Sequence, residues 1–187
     1  MNKISKILFI IGISFVFSAL LLLLRFEVEE EYSKDMNDNT MGVLLDKTNN
    51  LDNDNIDSIV INNIEYVGYL DIPTLELNLA ITKYYSYNSL KISPAVYYGS
   101  IKNNNLVICG HSYKAHFGNL YKLKKGDLVI FTDVLNNKYI YEVELVEELL
   151  PTSIKEMIES DFDLTLYTCT KDALKRVVIR CNMVSAN

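Results

Sequence analysis

The stretch that decides the fold is Leu164-Thr165-Leu166-Tyr167-Thr168-Cys169, followed by residues 170–175 and then by Arg176-Val177-Val178-Ile179-Arg180. The first run is apolar and partly β-branched, so it reads as a strand. The last run alternates and reads as a second strand. Cys169 then stands at a strand end, and Arg176 starts the neighbouring strand across a tight connection. A thiol on a rigid strand end, facing a fixed guanidinium, is a way to hold a nucleophile beside an oxyanion stabiliser.

Working upstream, residues 66–73 read as a strand stopped by Pro73, and residues 75–81 alternate as the next strand, with Leu77, Leu79 and Ile81 on one face. Residues 93–100 read as a loop. Leu106-Val107-Ile108-Cys109-Gly110 is a continuous apolar run, consistent with a buried strand, and His111 follows it directly. Residues 117–123 read as a helical turn and Lys124-Lys125-Gly126-Asp127 as a tight turn. Residues 128–132 and 138–145 read as strands joined through Asn136-Asn137. A short helix is expected within residues 151–160, where Ser153 and Glu156 have capping-box spacing. Short strands with little helix predict a mostly β domain over residues 61–187, closed or nearly closed as a barrel.

Ahead of this domain, residues 7–24 carry no charge, with Lys3 and Lys6 before them and Arg25 after. The run just reaches the length of a membrane-spanning helix. It is longer than the apolar region of a signal peptide and ends without an A-x-A cleavage pattern, so residues 1–25 read as a cytoplasmic tip and an uncleaved transmembrane anchor. Lysines before the run and Glu27, Glu29, Glu30 and Glu31 after it favour a cytoplasmic N-terminus and an extracytoplasmic remainder. Residues 26–60 are rich in Asp, Asn and Glu with weak apolar periodicity, so they are expected to form a flexible, solvated linker. Within it, residues 41–45 are an apolar island fit either to dock on the domain or to form a helical turn. Asp52, Asp54 and Asp57 loosely resemble a calcium loop but lack its Gly and closing Glu, which favours the spacer reading.

A net charge of −6 with no long basic stretch argues against nucleic acid as a partner. The three cysteines form no CxxC pair, which argues against a zinc ribbon or a thioredoxin-like motif. No metal or cofactor is expected. A thiol is a weak nucleophile until an imidazole or a cation favours its thiolate, and an arginine donates two hydrogen bonds to an oxyanion or to carbonyls. Cys169, His111 and Arg176 together therefore suit acyl transfer through a thioester. Cys109 is a rival nucleophile by its nearness to His111, but its apolar run points to a core role. Cys181 reads as structural, and a Cys109–Cys181 disulfide is left open. His116 reads as a loop or supporting residue. Residues 176, 178 and 180 share a strand face, so Arg180 joins Arg176 as a candidate, with Arg176 nearer the turn. Thr168 is either an aid to substrate or oxyanion binding or a plain strand residue.

The domain resembles the sortases, membrane-anchored cysteine transpeptidases of Gram-positive bacteria. The resemblance rests on Gly68-Tyr69-Leu70-Asp71-Ile72-Pro73, Val107-Ile108-Cys109-Gly110-His111, His116-Phe117, residues 123–127, Pro151-Thr152, and Thr165-Leu166-Tyr167-Thr168-Cys169 with Arg176. It implies a closed eight-stranded β-barrel with short helices and a triad of His111, Cys169 and Arg176. It also implies cleavage of an LPxTG-like sorting signal between Thr and Gly, with transfer to an amine of a peptidoglycan precursor in the cell wall. No DPF- or DPW-like lid is found, and the segment between Leu150 and Leu164 is short, so the resemblance is to the compact class A or class D enzymes. Two other functions fit the same residues: a thiol peptidase whose thioester is resolved by water, and an inactive barrel that only binds peptides.

Overall fold

A computed structural model describes residues 3–50 and 56–186. Nine strands carry the fold: β1 (Ile59–Ile61), β2 (Ile64–Ile72), β3 (Leu77–Thr82), β4 (Ala95–Tyr98), β5 (Leu106–Cys109), β6 (Leu128–Asp133), β7 (Lys138–Leu149), β8 (Leu164–Cys169) and β9 (Arg176–Ala186). They lie in the order β1-β2-β3-β4-β5-β8-β9-β7-β6, and β6 pairs back onto β2. Strands β2 to β9 thus close into the eight-stranded barrel, while β1 forms a short hairpin with the start of β2. Closure gives the strand edges partners that an open sheet would leave unpaired.

Side-chain alternation divides the wall into an inside and an outside. Leu106 and Ile108 of β5, Leu164 and Leu166 of β8, and Val177, Ile179 and Cys181 of β9 join the interior cluster with Leu70, Leu79, Phe131 and Tyr141. The alternate set, Val107 and Cys109, Thr165, Tyr167 and Cys169, and Arg176, Val178 and Arg180, belongs to the outer face. There Val107 and Val178 pack with Met157 of a short helix, α2 (Ile154–Ile158).

Three local expectations are corrected. Residues 93–100 are not simply a loop. They contain β4, which pairs Ala95 with Cys109 and Val96 with Ile108. The four residues between Pro94 and Gly99, Ala-Val-Tyr-Tyr, suit a strand in type but are too short a run to declare one, and the pairing comes from the neighbouring strand. Strands β7 and β9 run further than expected because each pairs along the other, from Leu149↔Arg176 to Tyr139↔Ala186. Ser153 takes the N-cap position of α2, but its side chain makes no capping hydrogen bond.

The larger correction concerns the linker. Residues 26–49 are not a loose spacer. They continue the apolar segment as one helix, α1 (Lys3–Asn49), roughly 70 Å long at 1.5 Å per residue. Its first part is long and apolar enough to cross a membrane and is not covered by the rest of the protein. Its second part buries Ser33, Asn37, Thr40, Met41, Leu44 and Thr48, a stripe at helical spacing. Met41 and Leu44 join Ile59, Ile61, Tyr66, Ala80 and Val134 in a second cluster, so the apolar island docks on the barrel. Of its polar members, Asn37 bonds to β3: its Nδ2 donates to the Asn78 carbonyl at 2.9 Å, and the Ala80 N–H donates to its Oδ1 at 3.1 Å. Apolar periodicity does not reveal this face because four of its six buried residues are Ser, Asn or Thr. Of the loosely calcium-like set, Asp57 is paired with Lys83 at 3.1 Å, and Asp52 and Asp54 lie outside the described residues.

Leu44 is fully buried. Leu44→Ala is therefore expected to lower stability by about 2–5 kcal/mol, read as a drop in the denaturation midpoint of the detergent-solubilised full chain.

Candidate active site

Strands β5 and β8 are parallel neighbours with Cys109 opposite Tyr167. The pairing continues past the strand end, where the Gly110 N–H donates to the Tyr167 carbonyl at 3.1 Å. The Thr168 hydroxyl returns a 2.9 Å bond to the Gly110 carbonyl. His111, two residues beyond Cys109, thus comes level with Cys169, two residues beyond Tyr167. On the other side, antiparallel β9 sets Arg176 directly opposite Cys169. Three adjacent strand ends, each about 4.8 Å from the next, gather a thiol, an imidazole and a guanidinium at one end of the barrel.

The backbone around His111 leaves little freedom. A Cβ on Gly110 would stand 2.7 Å from the Phe117 ring, so only glycine fits under that ring. The Phe117 N–H donates to the His111 carbonyl at 3.1 Å. The imidazole stacks on Tyr113, with centroids 4.7 Å apart and planes at 21°, and meets the edge of Tyr87 at 6.2 Å. Its Nε2 is buried and has no hydrogen-bond partner among the described residues. Burial, and then the positive charge of Lys91, hold its pKa below the ordinary imidazole value, while Glu29 of α1 pulls the other way. The ring is therefore neutral at pH 7, able to take a proton and later return it.

Cys169 is half-buried and opens into a cavity of about 730 Å³. Thr168, Phe117, Tyr121 and Val177 line it from the barrel, and Phe26 and Glu30 line it from α1. The connection to Arg176 is pinned: the Thr170 N–H donates to the Lys175 carbonyl at 3.0 Å, and the Ala173 N–H donates to the Thr170 carbonyl at 2.8 Å. Arg176 is half-exposed, with Nη1 donating to the Lys175 carbonyl at 3.2 Å.

The remaining candidates fall elsewhere. Arg180 is buried, contrary to the expectation that it shares the site with Arg176. Its Nε donates to Glu147 at 2.9 Å, Nη1 to the Met157 carbonyl, Ser160 and Thr165, and Nη2 to the Glu156 carbonyl at 2.7 Å. It ties α2 to the wall. Thr168 is buried and spends its hydroxyl on Gly110, so it fixes the β5 end. All three cysteines are free. Cys109 faces out from β5 toward Leu90 and Ala95, while Cys181 faces into the barrel, so the two do not pair. Burial pushes the Cys109 thiol up to about 12 and raises that of Cys181 as well. His116 is fully buried against Ser33 of α1 at 2.9 Å, and burial, with His111 nearby, depresses it to about 4. Sequence reasoning missed Tyr113, Tyr87, Lys91, Phe26 and Glu29. Tyr113 was within reach, two residues after His111 in a Tyr-rich chain. Phe26 and Glu29 were not, because they lie in a segment whose composition reads as a solvated spacer.

The sortase domain family model matches residues 70–184. The chain belongs to the sortase family. Among solved structures, it is similar to sortase C1 from Streptococcus agalactiae (26% identity, TM-score 0.60, covering 68% of this chain and 72% of that one). It is also similar to sortase A from Listeria monocytogenes (25% identity, TM-score 0.61, covering 65% and 89%). Sortase A from Corynebacterium diphtheriae shares the fold at 24% identity and TM-score 0.58. That match covers 66% of this chain and 63% of the diphtheria chain. No curated protein sequence matches the chain.

In this sortase, the depressed His111 pKa sets the sign of a pH effect. The imidazole stays neutral as pH falls below the ordinary imidazole range, so with His111 as the acid–base group, the role proposed below, the acid limb of kcat/KM is expected below that range. Lys91→Gln removes a charge that lowers the pKa, and the limb should move up. Glu29→Gln should move it down. Peptide-cleavage rates across pH 4–8 check both directions.

Proposed function

We propose that this sortase is a membrane-anchored cysteine transpeptidase with Cys169 as nucleophile, His111 as acid–base group and Arg176 as oxyanion stabiliser. The observation that carries the reading is the levelling of a half-buried thiol, open to a cavity, with an imidazole whose Nε2 has no protein partner and with an arginine across the ladder.

The steps follow from proton bookkeeping. His111 takes the proton of the Cys169 thiol as sulfur attacks the carbonyl of the scissile bond. The oxyanion accepts hydrogen bonds from Arg176. Collapse breaks the C–N bond, His111 gives its proton to the leaving amine, and a thioester remains. An incoming amine attacks the thioester, losing a proton to His111. The Cys169 thiolate departs and is reprotonated. No step needs a metal or a cofactor.

The substrate in this reading is an LPxTG-like sorting signal, cut between Thr and Gly, and the acceptor is an amine of a peptidoglycan precursor. The outer wall supports an extended, partly apolar ligand. Tyr85 and Tyr97 meet edge to face at 5.5 Å, and Tyr97 and Tyr167 at 5.4 Å, with Tyr167 two residues before Cys169 on one strand face. The apolar part of α1 would be the anchor, with its N-terminus cytoplasmic and the barrel outside.

The test is incubation of the full chain in detergent with a library of LPxTG-like peptides, with and without an added amine, trapping the acyl-enzyme for mass spectrometry. Cys169→Ala should abolish cleavage, and His111→Ala should lower it by about 10²–10⁴-fold. Arg176→Ala should cost about 10²–10³-fold. Cys109→Ala should retain most activity. Equal loss in the Cys109 and Cys169 variants would undo the assignment. Product unchanged by amine would point to hydrolysis, and binding unaffected by Cys169→Ala without any turnover would point to a binding barrel.

A further inference from the structure

We propose that Tyr113 is the positioning residue for the His111 imidazole, and that the part of α1 just beyond its apolar run holds Tyr113 in place. The proposal rests on the reading of His111 as the acid–base group.

An imidazole that must face a thiol with one chosen nitrogen is ordinarily oriented by a hydrogen bond to its other nitrogen. Among the described residues, no side-chain or backbone group hydrogen-bonds the His111 ring. What fixes its plane is aromatic packing: the face of Tyr113 at 4.7 Å and the edge of Tyr87 at 6.2 Å. Tyr87 is exposed, whereas Tyr113 is buried, so Tyr113 is the fixed partner.

Tyr113 is held in turn from α1. Phe26 meets its ring edge to face at 5.7 Å, and its hydroxyl donates to Glu29 Oε2 at 3.5 Å. The next residue of the loop, Lys114, donates its backbone N–H to Glu30 Oε1 at 3.1 Å. His116 closes the set with its buried 2.9 Å bond to Ser33. Residues 26, 29, 30 and 33 have the spacing of one helix face, and all four contact the loop that follows His111. Backbone bonds already shape this loop, with the His116 and Gly118 N–H groups both donating to the Tyr113 carbonyl. The contacts from α1 add something different: they fix the plane of one ring, and that ring fixes the plane of the imidazole. Phe26 follows Arg25, the residue that ends the apolar run. The helix that would anchor the chain therefore also supports its catalytic base.

The experiment uses the full chain in detergent micelles with a cleaved LPxTG-like peptide, measuring kcat, KM and the thermal midpoint for Tyr113→Leu, Tyr113→Phe and Phe26→Ala. Misplacing a catalytic group by about 1 Å costs up to about 100-fold, so Tyr113→Leu should lower kcat by roughly 10- to 100-fold with little change in KM. Tyr113→Phe keeps the stacking and should keep kcat within about threefold, and Phe26→Ala should fall between the two. Phe26→Ala removes a ring from the helix surface and tests the proposal even if Tyr113→Leu does not fold. Wild-type kcat in a folded Tyr113→Leu or Phe26→Ala chain overturns the proposal. So does equal damage from Phe and Leu at position 113, or a loss expressed only in KM. Retention of turnover in Cys169→Ala would instead remove the underlying site assignment, an outcome these variants do not mimic.

Discussion

The parallel pairing of β5 with β8 is the constraint on which the site depends. A parallel ladder keeps two strands in step, so two chain segments that leave the sheet at the same level bring their next residues side by side. The register Cys109↔Tyr167 therefore carries His111 to Cys169, although 58 positions separate them in sequence. Two further bonds at Gly110, one from each strand, hold that register past the last rung. Because the side-chain period is two, a slip of one residue would turn Cys169 into the barrel and Thr168 outward. The interior packing of Leu106, Ile108, Leu164 and Leu166 opposes such a slip.

The same wall sorts chemically similar residues into different duties. Arg176 and Arg180 lie on one face of β9, yet Arg180 is buried with its donors shared among Glu147, Ser160, Thr165 and two carbonyls, while Arg176 stands half-exposed beside Cys169. A buried charge persists only when it is paired and hydrogen-bonded, and the α2 segment supplies those partners at position 180. Cys109 and Cys169 divide in a similar way. The first is sealed between Leu90, Ala95 and the tyrosine layer, where desolvation opposes its thiolate. The second sits at the mouth of a cavity.

The helix ahead of the barrel is part of the folded domain rather than a tether to it. Its stripe from Ser33 to Thr48 is buried against β1 and β3, and its preceding turns meet the loop after His111. A rigid connection from an apolar segment to the wall that carries Cys169 limits where the cavity can lie relative to that segment. A flexible spacer would not.

The sequence by itself determined the β-rich domain, the apolar N-terminal run, and the pieces of the site that lie at strand ends. Those features are local: β-branched runs, alternation, and a Gly-His pair directly after a buried strand. Tyr113 belongs with them in principle, since it follows His111 by two. Tertiary structure alone decided which arginine is buried, that β4 exists, and that residues 26–49 are a docked helix. Each of these depends on a partner distant in sequence: Glu147 and the α2 carbonyls for Arg180, β5 for β4, and the β3 backbone for Asn37. A helix face that is mostly Ser, Asn and Thr shows little apolar period, because residues such as Ser33 and Asn37 are buried through hydrogen bonds to groups that only the fold brings within reach.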